Sequence, residues 1–276
     1  MRMKKAKIGF IGGGNMAGSL IKGLIADGYP ASDIWVSDLD EAKLEAYRDQ
    51  FGIHSTVDNN ELANEVSVVV LAVKPQVLKS VSEDIKGVVK ERAPLVVSIA
   101  AGIRSKDITN WLGGEATIVR CMPNTPALVG SGATGLFANE QVSGEQRDQA
   151  ESIMRSVGLI VWVDDEPLLD AVTAVSGSGP AYYFLMMEAM EKTAIGMGVS
   201  KESARLLVQQ TALGAAKLAM ESSDSPEALR RKVTSPGGTT EQAISSFEES
   251  GFRNVVDRAL KAAQDRSVDL SDELGG

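Results

Sequence analysis

One stretch near the start of the chain restricts the architecture more than any other: Lys7-Ile8-Gly9-Phe10-Ile11-Gly12-Gly13-Gly14-Asn15-Met16-Ala17-Gly18. Residues 6–11 are mostly apolar and read as a short buried strand. Gly12-x-Gly14-x-x-Ala17 then supplies a tight turn, and the pattern from Asn15 to Asp27 predicts a helix. Strand, glycine turn and helix in that order present free N–H groups and the positive end of a helix dipole where no side chain intervenes. A side chain at Gly12 or Gly14 would hold a pyrophosphate away from the backbone. An ordinary glycine-rich turn is the bland alternative, but the strand before it and the helix after it favour a dinucleotide site.

The following residues extend this into a doubly wound α/β sheet of the Rossmann type. Asp33 to Ser37 predicts a second strand, and Asp38 ends it about 20 positions beyond Ala17, where an acid can hold a ribose hydroxyl. Taken alone, Asp38 argues for NAD, whereas the Ser37 hydroxyl and nearby N–H groups would suit a 2′-phosphate. Asp38 reads equally well as a strand-end turn residue. His54, the only histidine, is expected on a short surface strand, in a structural role. Asp58-x-x-Glu61 and Ser143-x-x-Gln146 have the form of capping boxes.

Val66 to Leu71 is the β-branched run of a fully buried parallel strand. It leads into Ala72-Val73-Lys74-Pro75, with Pro75 fitted to the first turn of a helix and Lys74 at the carboxyl end of a central strand, facing a cofactor. Leu95 to Ile99 is another strand, running into the small residues Ala100-Ala101-Gly102. Ala116 to Cys121 precedes the stiff Met122-Pro123-Asn124-Thr125-Pro126 loop, and Leu159 to Val163 is the last strand legible in the pattern. Beyond it the periodicity is helical only, for example Phe252, Val255, Val256, Ala259, Leu260 and Ala263 on one face. The expected domains are therefore residues 1–164, a dinucleotide-binding sheet, and 165–276, an all-helical domain.

Two segments of the helical part stand out. Ser176-Gly177-Ser178-Gly179-Pro180 leads into a helix from Ala181 to Met197 that is apolar on nearly every face and so must be buried all round, as in a dimer core. Val233-Thr234-Ser235-Pro236-Gly237-Gly238-Thr239-Thr240 opens another helix. Its hydroxyls and N–H groups have the form of a carboxylate cradle, and Thr239-x-x-Gln242 has that of a capping box; the residues alone fit either a cradle or a capped loop.

Composition removes several classes of partner. With 37 acidic against 28 basic residues the net charge is −9, which repels nucleic acid and anionic lipid. The basic Met1-Arg2-Met3-Lys4-Lys5 has too short an apolar run behind it for a signal segment, and no stretch reaches transmembrane length. A single cysteine, Cys121, excludes an internal disulfide and suits the cytoplasm; with one histidine no metal site is expected. Cys121 reads as a small core residue. Without a suitable histidine to act as a strong acid, imine reduction suits the chain better than carbonyl reduction, because a protonated C=N already attracts hydride.

These segments together resemble the pyrroline-5-carboxylate reductases. The resemblance rests on Ile8 to Ala17, Ala72-Val73-Lys74-Pro75, Ser98-Ile99-Ala100-Ala101-Gly102, Met122 to Ala127, Ser176 to Tyr182 and Ser235 to Thr240, in the family's order along nearly the whole chain. It implies reduction of 1-pyrroline-5-carboxylate to L-proline by NADPH, with NADH as the other donor that Asp38 leaves open. It implies a substrate carboxylate held by Ser235 and the N–H groups of Gly238, Thr239 and Thr240, with the Thr240 hydroxyl toward the ring nitrogen. It implies a cofactor along Gly12, Gly13, Gly14, Asn15 and Met16, then Ser37, Asn59, Ala72, Val73, Lys74, Ala100 and Ala101, with Asp38 beside it. Family members form an intertwined homodimer through the helical domain, often assembled into a decamer. A β-hydroxyacid dehydrogenase, the nearest rival, wants a lysine four positions after Gly179, where Tyr183 stands. A non-catalytic NADP-binding regulator on the same fold is the other alternative.

Overall fold

The computed structural model describes residues 6–275, and the basic segment at positions 1–5 lies outside the described residues. The chain begins with β1 (Ile8–Ile11), α1 (Asn15–Ala26), β2 (Ile34–Ser37), α2 (Glu41–Phe51), β3 (His54–Thr56), α3 (Asn59–Glu65), β4 (Val68–Leu71), α4 (Pro75–Arg92) and β5 (Leu95–Ser98). It continues with α5 (Ser105–Trp111), β6 (Thr117–Met122), β7 (Gly132–Ala138), α6 (Gly144–Arg155) and β8 (Gly158–Trp162). Then come α7 (Leu168–Val172), a π-helical turn (Thr173–Gly177), α8 (Gly179–Gly196), α9 (Lys201–Glu221), α10 (Pro226–Lys232), α11 (Thr239–Glu249) and α12 (Phe252–Leu274).

The strands form one sheet in the order β3-β2-β1-β4-β5-β6-β7-β8, parallel throughout except between β6 and β7. From β1 the chain steps outward through β2 to β3, returns to β4 on the other side of β1, and proceeds the opposite way. The order therefore reverses between β1 and β4, whose carboxyl ends lie together because Ile11 pairs with Leu71. Ligands of open α/β sheets bind at such a reversal. β4 explains why its sequence is apolar at every position. Val68 and Val70 join a core with Leu20, Ile21 and Leu24 of α1, while Val69 and Leu71 join a second core with Leu78, Ile85 and Val89 of α4. Successive residues face opposite sides of a strand, so a sheet covered on both faces needs apolar groups at both parities.

β7 is absent from the sequence reading. Gly132, Thr134 and Gly135 dilute its apolar signal, yet the space requires the glycines: a Cβ at Gly135 would lie 2.7 Å from Val172 Cγ1 and one at Gly132 3.0 Å from Val157 O. The capping box at Ser143 is present in both halves. That at Asp58 is half present: Asp58 Oδ1 accepts from the N–H groups of Asn60 (2.8 Å) and Glu61 (3.3 Å), but the Glu61 carboxylate takes the Thr56 hydroxyl instead of reaching back. His54 lies on the edge strand β3 and stacks on Trp35 at 4.6 Å. Cys121 is buried in β6, and that burial drives its thiol far above the usual range, so it is inert packing.

By packing, one unit runs to Ser178 and includes the chain from Ala262 onward; the other is Gly179–Lys261. In the first unit, Ser267 Oγ donates to Asp170 Oδ1 (2.6 Å) and Arg104 pairs with Asp272 (2.6 Å). In the second, the buried apolar side chains are Ala204 and Val208, while Tyr183, Leu185, Leu206 and Leu207 are each more than 60% exposed. α8, expected to be buried all round, is thus exposed in the single chain. Apolar surface on that scale marks a protein interface.

Candidate cofactor and substrate sites

Gly12, Gly13 and Gly14 are glycine for three different reasons. Gly12 has φ +99, and a Cβ there would lie 2.7 Å from the Ala72 carbonyl oxygen. Its N–H donates to Ser37 O (2.8 Å) and Ala72 N–H donates to Ile11 O (2.8 Å), so the turn is fixed between β2 and β4. At Gly13 a Cβ would meet Tyr47 Cε2 at 2.9 Å, with Lys43 and Asp38 just behind. Gly14 differs from both: it caps α1 in an extended conformation, and a Cβ there would find nothing within 4 Å. The first helical bond runs from Gly18 N–H to Gly14 O (2.9 Å), and no side chain caps the helix. Of the N–H groups this leaves uncapped in the first turn, those of exposed Asn15 and half-buried Met16 lie at the surface, a cradle fitted to a pyrophosphate, while Ala17 is buried.

The other cofactor candidates divide by position. Asn59 opens α3, and its Oδ1 accepts from Ser37 Oγ at 2.8 Å. Ser37 is fully buried, so its hydroxyl positions Asn59 from beneath and does not itself offer a surface for the 2′-phosphate suggested by the sequence. Ala72 and Val73 are half-buried beside the glycine turn, and Lys74 is exposed at the start of α4 with no ion pair among the described residues. Ala100 is buried and Ala101 half-buried beyond the end of β5, the neighbour of β4.

Asp38 does not point away from the protein. Its Oδ2 accepts from Gly13 N–H (2.8 Å) and Lys43 Nζ (2.9 Å), and its Oδ1 accepts from Asp40 N–H (3.0 Å). Partial burial pushes the carboxyl up, but the hydrogen bonds from Lys43, Asp40 and Gly13 together with the Lys43 charge outweigh it, holding Asp38 below the usual carboxylate range. Lys43 and Tyr47, one turn apart on α2, support the glycine turn from behind, and neither was singled out from the sequence. The signal was available: both lie on the helix that follows Asp38, at the spacing of one face.

Two further polar clamps were also missed. Glu166 accepts from Ser105 N–H (2.6 Å), Ser105 Oγ (2.7 Å) and Arg120 (2.7 Å), joining β6, α5 and the segment after β8. Asn124, buried in the Met122–Pro126 loop, donates to Ser176 O (3.0 Å) in the π-helical turn and accepts from Ala133 N–H (2.9 Å).

The cradle candidates lie in the second unit. α11 begins after Gly238, which occupies the cap position with no side-chain cap; the capping box expected at Thr239-x-x-Gln242 does not form, since Gln242 N–H donates to Gly238 O (3.3 Å). The Glu241 carboxylate accepts from Gly237 N–H (2.7 Å) instead. Gly238 N–H, one of the expected carboxylate donors, is occupied by Ser235 O (3.0 Å). The N–H groups left without an acceptor are those of Thr239, Thr240 and Glu241, with Ser235 exposed and Thr240 half-buried beside them. Three unpaired donors at the positive end of an eleven-residue helix suit a carboxylate.

A family model described as pyrroline-5-carboxylate reductase dimerisation matches residues 166–270, and one described as NADP oxidoreductase, coenzyme F420-dependent, matches residues 7–102. A curated pyrroline-5-carboxylate reductase of Pseudomonas aeruginosa is 50% identical over 273 residues, covering 99% of this chain and 100% of its own. The solved pyrroline-5-carboxylate reductase of Coxiella burnetii matches with a TM-score of 0.94 at 49% identity, over 97% of this chain and 99% of that one. A Plasmodium falciparum pyrroline carboxylate reductase with NADP bound matches with a TM-score of 0.85 at 30% identity, over 98% and 99%. The chain belongs to the pyrroline-5-carboxylate reductase family.

Proposed function

We propose that this chain reduces 1-pyrroline-5-carboxylate to L-proline at the expense of NADPH or NADH, with residues 1–164 holding the dinucleotide and 165–276 the substrate and the dimer contact. The observation that carries the reading is the bare N-terminus of α11, where three N–H groups without acceptors adjoin the Thr240 hydroxyl. Thr239 and Thr240 hold the substrate carboxylate by these N–H groups, with Ser235 donating its hydroxyl from the preceding loop. Gly238 serves by its backbone conformation, because its N–H is spent on Ser235. Thr240, the catalytic residue, offers its hydroxyl to the ring nitrogen and keeps it protonated or hydrogen-bonded, which draws electron density from the imine carbon.

Gly14, Asn15 and Met16 hold the pyrophosphate over the turn that Gly12 and Gly13 shape, and Asn59, Ala72, Val73, Lys74, Ala100 and Ala101 line the rest of the dinucleotide, with Ser37 and Asp38 acting from behind. When bound, the reduced nicotinamide supplies the hydride. Homo-oligomerisation accounts for the exposed Tyr183, Leu185, Leu206 and Leu207. The assembly proposed is a homodimer through the helical domain, with a decamer as the larger state. No helix among the described residues is long and apolar enough to cross a membrane, and we place the enzyme in the cytoplasm, acting on a small molecule and not on nucleic acid or lipid. The test is spectrophotometric: purified protein oxidises NADPH when pyrroline-5-carboxylate is added, and a 3-hydroxyacid does not support reduction of NADP+. Turnover of the hydroxyacid without turnover of the pyrroline would reverse the assignment.

A further inference from the structure

An acid at the end of β2 suggests a site for the unphosphorylated dinucleotide, because a carboxylate repels a 2′-phosphate. The geometry around Asp38 gives the opposite sign. Its carboxylate is turned inward, 16% exposed, with Oδ2 accepting from Gly13 N–H and Lys43 Nζ and Oδ1 from Asp40 N–H. Lys43 is the more exposed partner, at 40%. An ammonium carries three donors, and one is spent on Asp38, so Lys43 keeps donors for a ligand. Its stem continues past Gly13, where a Cβ would lie 3.2 Å from Lys43 Cδ, placing the lysine directly beside the glycine turn. What a ligand meets at the end of β2 is thus the cation and not the acid. Ser37, the alternative phosphate partner, is fully buried and donates to Asn59.

We propose that Asp38 is a positioning residue that locks the glycine turn through Gly13, and that Lys43, held by Asp38, is the residue that selects a dinucleotide carrying a 2′-phosphate. The second half rests on the reading of this sheet end as a dinucleotide site; the first half does not. The held state of Asp38 fits the lock, since a carboxyl kept ionised over a wider pH range keeps accepting from Gly13. Lock and selector are coupled through one oxygen, Oδ2. Removing the acid therefore acts on both dinucleotides through the turn, whereas removing the lysine acts on one.

The experiment uses the full-length protein and equilibrium titration with NADP+ and NAD+, together with hydrogen exchange at the Gly13 amide. Lys43→Met is expected to weaken NADP+ about tenfold or more, the equivalent of one charge-assisted hydrogen bond, and to leave NAD+ within about twofold. Asp38→Ala is expected to weaken both dinucleotides, NADP+ the more because Lys43 also loses its anchor, and to speed exchange at Gly13, and Asp38→Asn, which keeps an acceptor oxygen, to restore part of both. Unchanged NADP+ affinity in Lys43→Met would overturn the selector. An Asp38→Ala variant that gains NADP+ affinity while Gly13 exchange stays native would mean that the acid faces the ribose, overturning the lock. Failure of the native protein to bind either dinucleotide would overturn the dinucleotide reading and the selector with it, while Gly13 exchange in ligand-free protein decides the lock independently.

Discussion

Gly12 and Gly14 lie two residues apart in one turn, and alanine at each should fail in a different way. At Gly12 the backbone sits at φ +99, and a methyl group would lie 2.7 Å from the Ala72 carbonyl oxygen and 2.9 Å from Val73 Cγ1. A left-handed conformation costs an L-residue about 1–2 kcal/mol and forcing a group into fixed neighbours about 1–3 kcal/mol more, roughly 2–5 kcal/mol together. At about 2–4 °C per kcal/mol for a chain of this size, ligand-free Gly12→Ala should melt roughly 4–20 °C below the native protein. Gly14 has φ −77 and ψ 179, and its methyl would meet nothing within 4 Å. Alanine at a helix cap costs about 0.5–1 kcal/mol, a few degrees at most. The same methyl projects into the space before the free N–H groups of α1, so NADP+ should bind about 10- to 100-fold more weakly, the loss of one or two hydrogen bonds to a charged group. Scanning calorimetry without ligand and titration with NADP+ separate the effects. Equal losses of melting temperature, or native affinity for NADP+ in Gly14→Ala, would refute the assignment of one glycine to the fold and the other to the ligand.

Other substitutions probe the remaining parts of the account. Thr240→Ala should lower kcat about 10- to 100-fold by removing a hydrogen bond that strengthens in the transition state, and an unchanged kcat would remove the hydroxyl from the mechanism. Leu207→Glu alters a side chain 61% exposed in the single chain, so a monomer would tolerate it within about 0.5 kcal/mol; sedimentation should instead reveal dissociated protein with a depressed melting temperature. Because Asp38 is held below the ordinary carboxylate range, its contribution to stability is complete above that range and lost as pH falls through its lowered folded value. The melting-temperature gap between native protein and Asp38→Asn should therefore narrow on strong acidification, and a gap constant down to low pH would contradict it.

The architecture was legible where a single physical demand dominated the local sequence. Val68 to Leu71 can be apolar at every position only if both faces of the strand are covered, and Ser143-x-x-Gln146 satisfies two backbone groups within four residues. Legibility failed where a residue answers to a partner far along the chain. Gly135 looks like a loop residue until Val172 is placed against β7, and Glu166 gives no sign of Arg120 and Ser105, both more than forty positions earlier. At the candidate sites, the glycine turns that open α1 and α11 were readable because a glycine run before a helical pattern has a local signature, whereas the absence of a side-chain cap at α11 was not, since Thr239-x-x-Gln242 has the form of a capping box. The orientation of Asp38 was not, because a carboxylate at a strand end has the same sequence position whether it faces inward to Gly13 and Lys43 or outward to a ribose. The free donors of the α11 cradle also shift by one residue from the expectation, since Gly238 N–H turns back to Ser235 and Glu241 N–H is free.

The measurement that bears most directly on the whole account is the fate of the hydride. Pyrroline-5-carboxylate is supplied with NADPH deuterated at the transferred position, and the product is analysed by mass spectrometry and chiral chromatography. The account predicts L-proline carrying a single deuterium on the ring carbon that was doubly bonded to nitrogen. Unlabelled proline, or oxidation of NADPH independent of the pyrroline, would contradict it.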